Sequence, residues 1–201
     1  MGTRILILSQ QAPEALRLAL QMIQRGGMIL FPTESVYGLG VDSTQPAAIK
    51  RLHDLKKRSL KKPFQWLVAN PDMARSGSDG WNEQAEKLAR TFWPGPLTIV
   101  VPAQGQTIGW RVPGHAWLLE LLTALQRPLV ASSANQAGKP ASGIFKTALT
   151  PFCQKIDLAV DGGTIEPGVA STVVAVKKRG IQILRKGAIS KDEIQRVVRI
   201  L

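Results

Sequence analysis

Residues 28–43, MILFPTESVYGLGVDS, set the reading of this chain. Met28 to Phe31 is a short apolar run that reads as a buried strand, and Pro32 ends it. The residues that follow are polar and glycine-rich. Thr33, Glu34 and Ser35 bring two hydroxyls and a carboxylate beside Gly38 and Gly40, where backbone can approach a ligand closely. The plain reading of residues 31–43 is a turn between strands. The chemical reading is a ligand loop at a strand end, where a rigid scaffold holds contact residues in place.

Working outward, residues 3–8 read as a first strand and residues 13–25 as a helix. Pro13 suits the first turn of that helix, Leu16, Leu20 and Ile23 share one face, and Gly26-Gly27 ends it. Downstream, residues 47–57 repeat Ile49, Leu52 and Leu55 at helical spacing, and 64–68 is the next strand. A helix over 82–92, the turn Trp93-Pro94-Gly95-Pro96, a strand over 97–101 and a strand ending at Arg111 follow. Then come a helix over 117–125, a strand over 128–131, and strands near 158–160, 172–176 and 181–184. Ser190 and Glu193 mark a capping box ahead of a last helix with a stripe of Ile194, Val197, Val198 and Leu201. Strands and helices interleave irregularly, which predicts an α/β fold: a twisted mixed sheet with flanking helices, in one domain over residues 1–201.

The 201 residues and 44% hydrophobic content suit one core of ordinary size. No apolar run approaches the ~18 residues that cross a bilayer, and Gln10 and Gln11 cut short the only one near the start, so a cytoplasmic protein without membrane attachment is expected. Cys153 stands alone, which excludes an internal disulfide and a cysteine zinc cluster. Charge is more informative. The net charge of +12 favours anionic partners such as nucleotides or RNA. Residues 50–62 hold Lys50, Arg51, Lys56, Lys57, Arg58, Lys61 and Lys62, with Asp54 the one acid. Lys177, Lys178, Arg179, Arg185 and Lys186 form a second group.

Three further polar stretches lie at predicted strand ends. In LKKRSLKKPFQW, Lys56 and Arg58 sit at a helix end, where the dipole favours cations by only ~0.3–1 kcal/mol. That does not account for so many like charges, and a triphosphate does. In VASSANQAGKP, Ser132, Ser133 and Asn135 are hydrogen-bonding residues of a kind that contacts phosphates, sugars or bases and equally builds loops. GVASTVV and ILRKGAIS add Ser171, Thr172 and Arg185. Gly138-Lys139 runs into Pro140, so there is no P-loop, and neither a dinucleotide fingerprint nor a zinc-protease motif occurs. No carboxylate cluster forms a metal cage, so a magnesium ion would be held largely by substrate phosphates and water. His53 and His115 have no evident partner, and Trp66 is the one tryptophan placed to stack on a base.

Taken together, FPTESVYGLG, KKR followed by KKP, WPGPLTIVV, RVPGH, SSANQAGKPAS, ASTVV and ILRKGAI occur in the order and approximate spacing of the YrdC/TsaC family, which the chain resembles from about residue 13 to 190. The resemblance implies a YrdC-like fold: a twisted mixed sheet around a basic concave surface. It implies a nucleotidyltransferase that converts L-threonine, bicarbonate and ATP to threonylcarbamoyl-AMP and pyrophosphate, with magnesium on the ATP phosphates. A separate complex would then transfer the group to an adenosine of tRNA, and weak tRNA binding is a further possibility. By this resemblance Lys56 and Arg58 match a K-x-R triphosphate clamp, Ser133 and Asn135 an S-x-N nucleotide contact, and Arg185 a further one. Thr33, Arg111 and Ser171 match a threonine pocket, with Arg111 suited to a carboxylate. Two positions depart: Ala170 stands where glutamate often precedes S-T-V, and Lys186 where proline is common. The chain ends soon after ILRKGAIS, so the single-domain form of the family is expected. The competing readings are an RNA-binding protein without chemistry and a paralogue of the same fold with another substrate.

Overall fold

The computed structural model describes residues 2–57, 64–166 and 168–201. Its ten strands are β1 (Arg4–Ile7), β2 (Ile29–Phe31), β3 (Gly38–Asp42), β4 (Gln65–Leu67), β5 (Leu97–Ala103), β6 (Gln106–Arg111), β7 (Leu129–Ser133), β8 (Leu158–Asp161), β9 (Thr172–Lys177) and β10 (Gly180–Arg185). They form one sheet in the order β1-β8-β2-β3-β7-β4-β6-β5-β9-β10. β8 runs parallel to β1 and β2, β4 to β6, and β5 to β9, while the other neighbours are antiparallel. The mixed sheet expected from the irregular interleaving is what forms.

The helices are α1 (Leu8–Gln24), α2 (Pro46–Lys56), α3 (Pro71–Ser76), α4 (Glu83–Phe92), α5 (Ala116–Leu125), α6 (Phe145–Leu149) and α7 (Lys191–Gln195). Side chains alternate across a strand, so the two faces of the sheet build separate cores. On one face Ile29, Phe31, Leu67, Leu129 and Leu158 pack with Ala15, Ala19 and Ile23 of α1 and Leu118, Leu121 and Leu125 of α5. On the other, Leu30, Leu39 and Val130 meet Leu52 of α2 and Ala148 of α6. Trp66 bridges that core to the next, in which Ile99, Val101, Ile108 and Trp110 pack with Leu88 of α4 and Ile194 of α7. Along β5 and β6 the alternate residues Thr98, Val100, Thr107, Gly109 and Arg111 face the first side again. There they line a cavity instead of a helix-covered core.

Several elements differ from the sequence reading. β3 falls on residues read as a polar loop. All five of its residues are buried, because pairing with both β2 and β7 overrides the low strand propensity of Gly38 and Gly40. Those glycines admit a side chain before any ligand: a Cβ on either would come within 2.8 Å of the Phe31 ring. α1 starts earlier than read, at Leu8, with a break at Gln11 (φ −136°) just ahead of Pro13. Trp66 does not stack toward a ligand; its ring lies edge-on to Trp110 with centroids 5.4 Å apart, on the face away from the cavity. Leu201 is 63% exposed and leaves the terminal stripe, although the Ser190–Glu193 capping box forms as read.

Asn82 caps α4 through the amides of Gln84 and Ala85. Glu86, one turn on, gathers Trp81 Nε1, Arg75 Nη2 and Arg90 Nε and so ties α3 to α4. The Trp81 hydrogen bond first, then Arg75, hold its carboxyl down at about 2. A folded-state pKa below the unfolded one stabilises above the unfolded value and is lost as pH falls through the folded value. Glu86→Gln is therefore expected to cost stability fully above pH 4.5 and nothing below about 2. Unfolding midpoints against pH test this, and a constant gap between the two proteins down to pH 2 would contradict it.

Candidate active site

The cavity, of about 340 Å³, lies over β4, β6, β5 and β9, with the β2–β3 turn and the end of β7 as its other walls. It begins with the turn after Phe31. Thr33 is 4% exposed, and its hydroxyl donates to Val36 O (2.7 Å) while accepting from the amides of Ser35 (3.0 Å) and Val36 (3.2 Å). The side chain thus closes the turn on itself, a hydroxyl replacing backbone partners. Ser35 Oγ is turned to the cavity wall and accepts from Arg111 Nη2 at 3.0 Å. Tyr37 anchors the far end: its hydroxyl donates to Gly163 O (2.6 Å) and accepts from Gly162 N (3.0 Å). Burial pushes the phenol up to about 12, so it stays protonated.

Arg111 ends β6 and is 2% exposed. Its Nε donates to Gly95 O (3.1 Å), and its Nη2 stands 2.7 Å from Glu34 Oε1. That contact is ionic but poorly aligned, since neither Glu34 oxygen meets hydrogen-bond geometry. Arg111 Nη1 makes no hydrogen bond among the described residues. His115 is close to Glu34; burial pulls its pKa down and the Glu34 charge opposes this, so the imidazole is neutral at pH 7.

The floor is made by strand register. Gln65 pairs with Gly109 on one side and Ala131 on the other, so the flanking positions carry at most a methyl group. Thr98 Oγ1 donates to Gln65 Oε1 (3.2 Å) and lies 3.1 Å from Ser171 Oγ. Arg185 donates through Nη2 to Ser171 Oγ (2.9 Å) and through Nε and Nη2 to Ser171 O. Thr33, Arg111, Ser171, Ser133 and Arg185, expected from the sequence, therefore meet around one cavity.

Lys56 and Asn135 adjoin Ser133 without lining the cavity themselves. Lys56, 6% exposed, donates Nζ to Ser133 O (2.8 Å), Asn135 O and Asn135 Oδ1 (3.1 Å), with the Phe152 ring 5.7 Å away. Ser133 Oγ donates to Asn135 Oδ1 at 2.6 Å. The K-x-R lysine is thus joined to the S-x-N loop, while Arg58, Lys61 and Lys62 lie outside the described residues. Ser35 was named in the sequence with Thr33 and Glu34, whereas Gln65, Thr98 and Gly109 were not singled out there. Their signal is faint: one polar residue inside an apolar strand, Thr98 between Leu97 and Ile99, Gln65 between Phe64 and Trp66.

Two guanidinium groups, several hydroxyls and, among the described residues, no lining carboxylate make the cavity suited to small anions. Among the described residues no three His, Cys, Asp or Glu side chains converge to hold a metal, and no helix is long and apolar enough to cross a membrane.

The Sua5/YciO/YrdC family model, described as telomere recombination, matches residues 21–187. A threonylcarbamoyl-AMP synthase of Pyrococcus abyssi is 34% identical over 193 residues, covering 91% of this chain and 57% of that protein. The chain thus spans little more than half of that relative. A threonylcarbamoyl-AMP synthase of Vibrio cholerae is 32% identical over 186 residues, covering 87% of this chain and 98% of that one. The crystal structure of Pyrococcus abyssi Sua5 complexed with L-threonine has a TM-score of 0.90 at 32% identity, over 99% of this chain and 62% of that one.

Proposed function

The chain belongs to the Sua5/YciO/YrdC family, and from that premise we propose that it is a threonylcarbamoyl-AMP synthase, joining L-threonine, bicarbonate and ATP with release of pyrophosphate. One observation carries the reading: Arg111 and Arg185 face a single cavity ringed by hydroxyls, which suits an amino-acid carboxylate at one end and phosphate at the other.

In this reading Arg111 receives the threonine carboxylate through Nη1, which no described residue engages, while Glu34 holds its other side. Thr33 shapes the turn that presents Ser35, and Ser171 forms the wall toward Arg185. The nucleotide lies along Arg185, Ser133 and Asn135, with Lys56 fixing that loop and Arg58 reaching the triphosphate. Threonine's amine captures carbon dioxide as a carbamate, and a carbamate oxygen attacks the α-phosphorus as the bond to the bridging oxygen breaks. Pyrophosphate leaves with that electron pair. An anion must approach a polyanion here, so fixed cations lower the barrier most where charge develops. With no acidic cage among the described residues, magnesium fits this site as part of the nucleotide, held by phosphate oxygens and water and supplying charge neutralisation. Transfer to tRNA would fall to a separate complex, and the net charge of +12 supports weak, salt-sensitive tRNA contact.

Pyrophosphate release with single-component omission tests the reading. Turnover is expected only with ATP, threonine and bicarbonate together. Equal release without threonine, or without bicarbonate, would overturn it.

A further inference from the structure

Arg185, Ser171, Thr98 and Gln65 form a row of hydrogen bonds across β10, β9, β5 and β4, and its direction is determined. An arginine only donates, so Ser171 Oγ is an acceptor toward Arg185 Nη2. Thr98 Oγ1 donates its one hydrogen to Gln65 Oε1, so in its contact with Ser171 Oγ the serine is the donor. The amide of Gln65 is thereby oriented with its oxygen engaged and its nitrogen turned the other way.

Gln65 Nε2 has no hydrogen-bond partner among the described residues, and Gln65 lines the cavity. Its cross-strand neighbours, Gly109 and Ala131, leave the amide uncovered. A row that begins on a guanidinium and ends on two unengaged N–H groups presents a donor, and only a donor, to whatever occupies the floor. Arg111 is two residues beyond Gly109 on the same face of β6, about 7 Å along the strand.

We propose that Gln65 is a specificity residue whose Nε2 donates to an acceptor oxygen at the end of the amino-acid substrate away from its carboxylate. The inference rests on the synthase reading given above. With the carboxylate on Arg111, two oxygens meet the description: the threonine hydroxyl, and the carbamate oxygen formed at the amine. They share one chemistry, an acceptor that Gln65 pairs and a hydrocarbon group would not. Thr98 and Ser171 act through Gln65 as positioning residues on this row.

The test uses the whole chain with Gln65→Glu, Gln65→Leu and Thr98→Val. Gln65→Glu keeps the volume and still accepts from Thr98, but at neutral pH it cannot donate. Its thermal midpoint is expected to stay at the wild-type value, which separates binding from folding. Loss of one such pairing corresponds to about tenfold or more in affinity. If the hydroxyl is the partner, Glu and Leu variants weaken calorimetric threonine binding without bicarbonate by that factor and leave 2-aminobutyrate binding unchanged. If the carbamate is the partner, threonine binding holds and KM for bicarbonate rises by that factor. Thr98→Val should follow the same pattern at smaller amplitude, since it frees the amide to turn. Wild-type values throughout for Gln65→Glu, or a loss confined to KM for ATP, overturn the proposal while the synthase reading stands. A wild type that itself shows no three-component turnover overturns both.

Discussion

Arg111→Ala is expected to lower kcat/KM for threonine by ~10²–10³, the usual loss for a fixed electrostatic contact, and to destabilise the fold by about 3–5 kcal/mol. The two effects have different origins. The guanidinium is 2% exposed and balances the Glu34 carboxylate, so truncation leaves that charge buried without its partner. It also leaves Gly95 O and Ser35 Oγ without their donors. Arg111→Lys carries the charge but lacks the planar fork that reaches Gly95, Ser35 and Glu34 together, so it should recover only part. The informative variant is the double one, Arg111→Met with Glu34→Gln. Removing both charges should restore much of the stability measured by denaturant unfolding, yet none of the threonine dependence. Near-normal kcat/KM in Arg111→Ala would remove this residue from the site.

Lys56→Met, which keeps the chain length and loses the ammonium, is expected to raise KM for ATP or lower kcat by a combined factor of about 10². Lys56 Nζ meets two backbone carbonyls and one side-chain oxygen of the Ser133–Asn135 loop. Without it the two carbonyls lose the Lys56 donor and Asn135 Oδ1 keeps only Ser133 Oγ, so the loop is expected to shift. Threonine binding measured by calorimetry should be unchanged, because Lys56 contacts none of Thr33, Arg111 or Ser171. An equal loss of threonine binding, or no loss in either substrate, would contradict the assignment. Lys56 would thus act through the Ser133–Asn135 loop that it holds.

How much of this was legible before any coordinates depends on whether the information is local. The capping box at Ser190 and Glu193, the helix of residues 83–92 and the apolar strand of residues 97–101 carry their own signals, and each forms. β3 does not carry one. GLGVD reads as a turn, and becomes a strand only because β2 and β7, remote in sequence, supply its hydrogen bonds. The site divides the same way. Arg111, Ser171 and Arg185 stand out as polar residues in recognisable motifs and converge as expected. Thr33 also converges, but its hydroxyl is engaged within its own turn, which a linear sequence cannot reveal. Gln65, Thr98 and Gly109 become neighbours through the register of β4, β6 and β5, a non-local property. Trp66 went the other way, since the alternation that points Gln65 into the cavity points the indole out of it.

Gly38, Gly109, Ala131 and Ala170 contribute to the cavity surface with at most a methyl group each. This gives the pocket a one-sided future under mutation. At most a methyl can be trimmed from those positions, while a single added methyl at Gly109 already comes to 3.0 Å from Thr98 Cγ2. Descendants of this sequence can therefore narrow the cavity with one codon change, whereas widening it falls mainly to larger wall residues such as Phe31, Val100 or Val173. Phe31 is the costly choice, because its ring also fills the space over Gly38 and Gly40. Widening is consequently steered to Val100 of β5 and Val173 of β9, which line the cavity from the sheet.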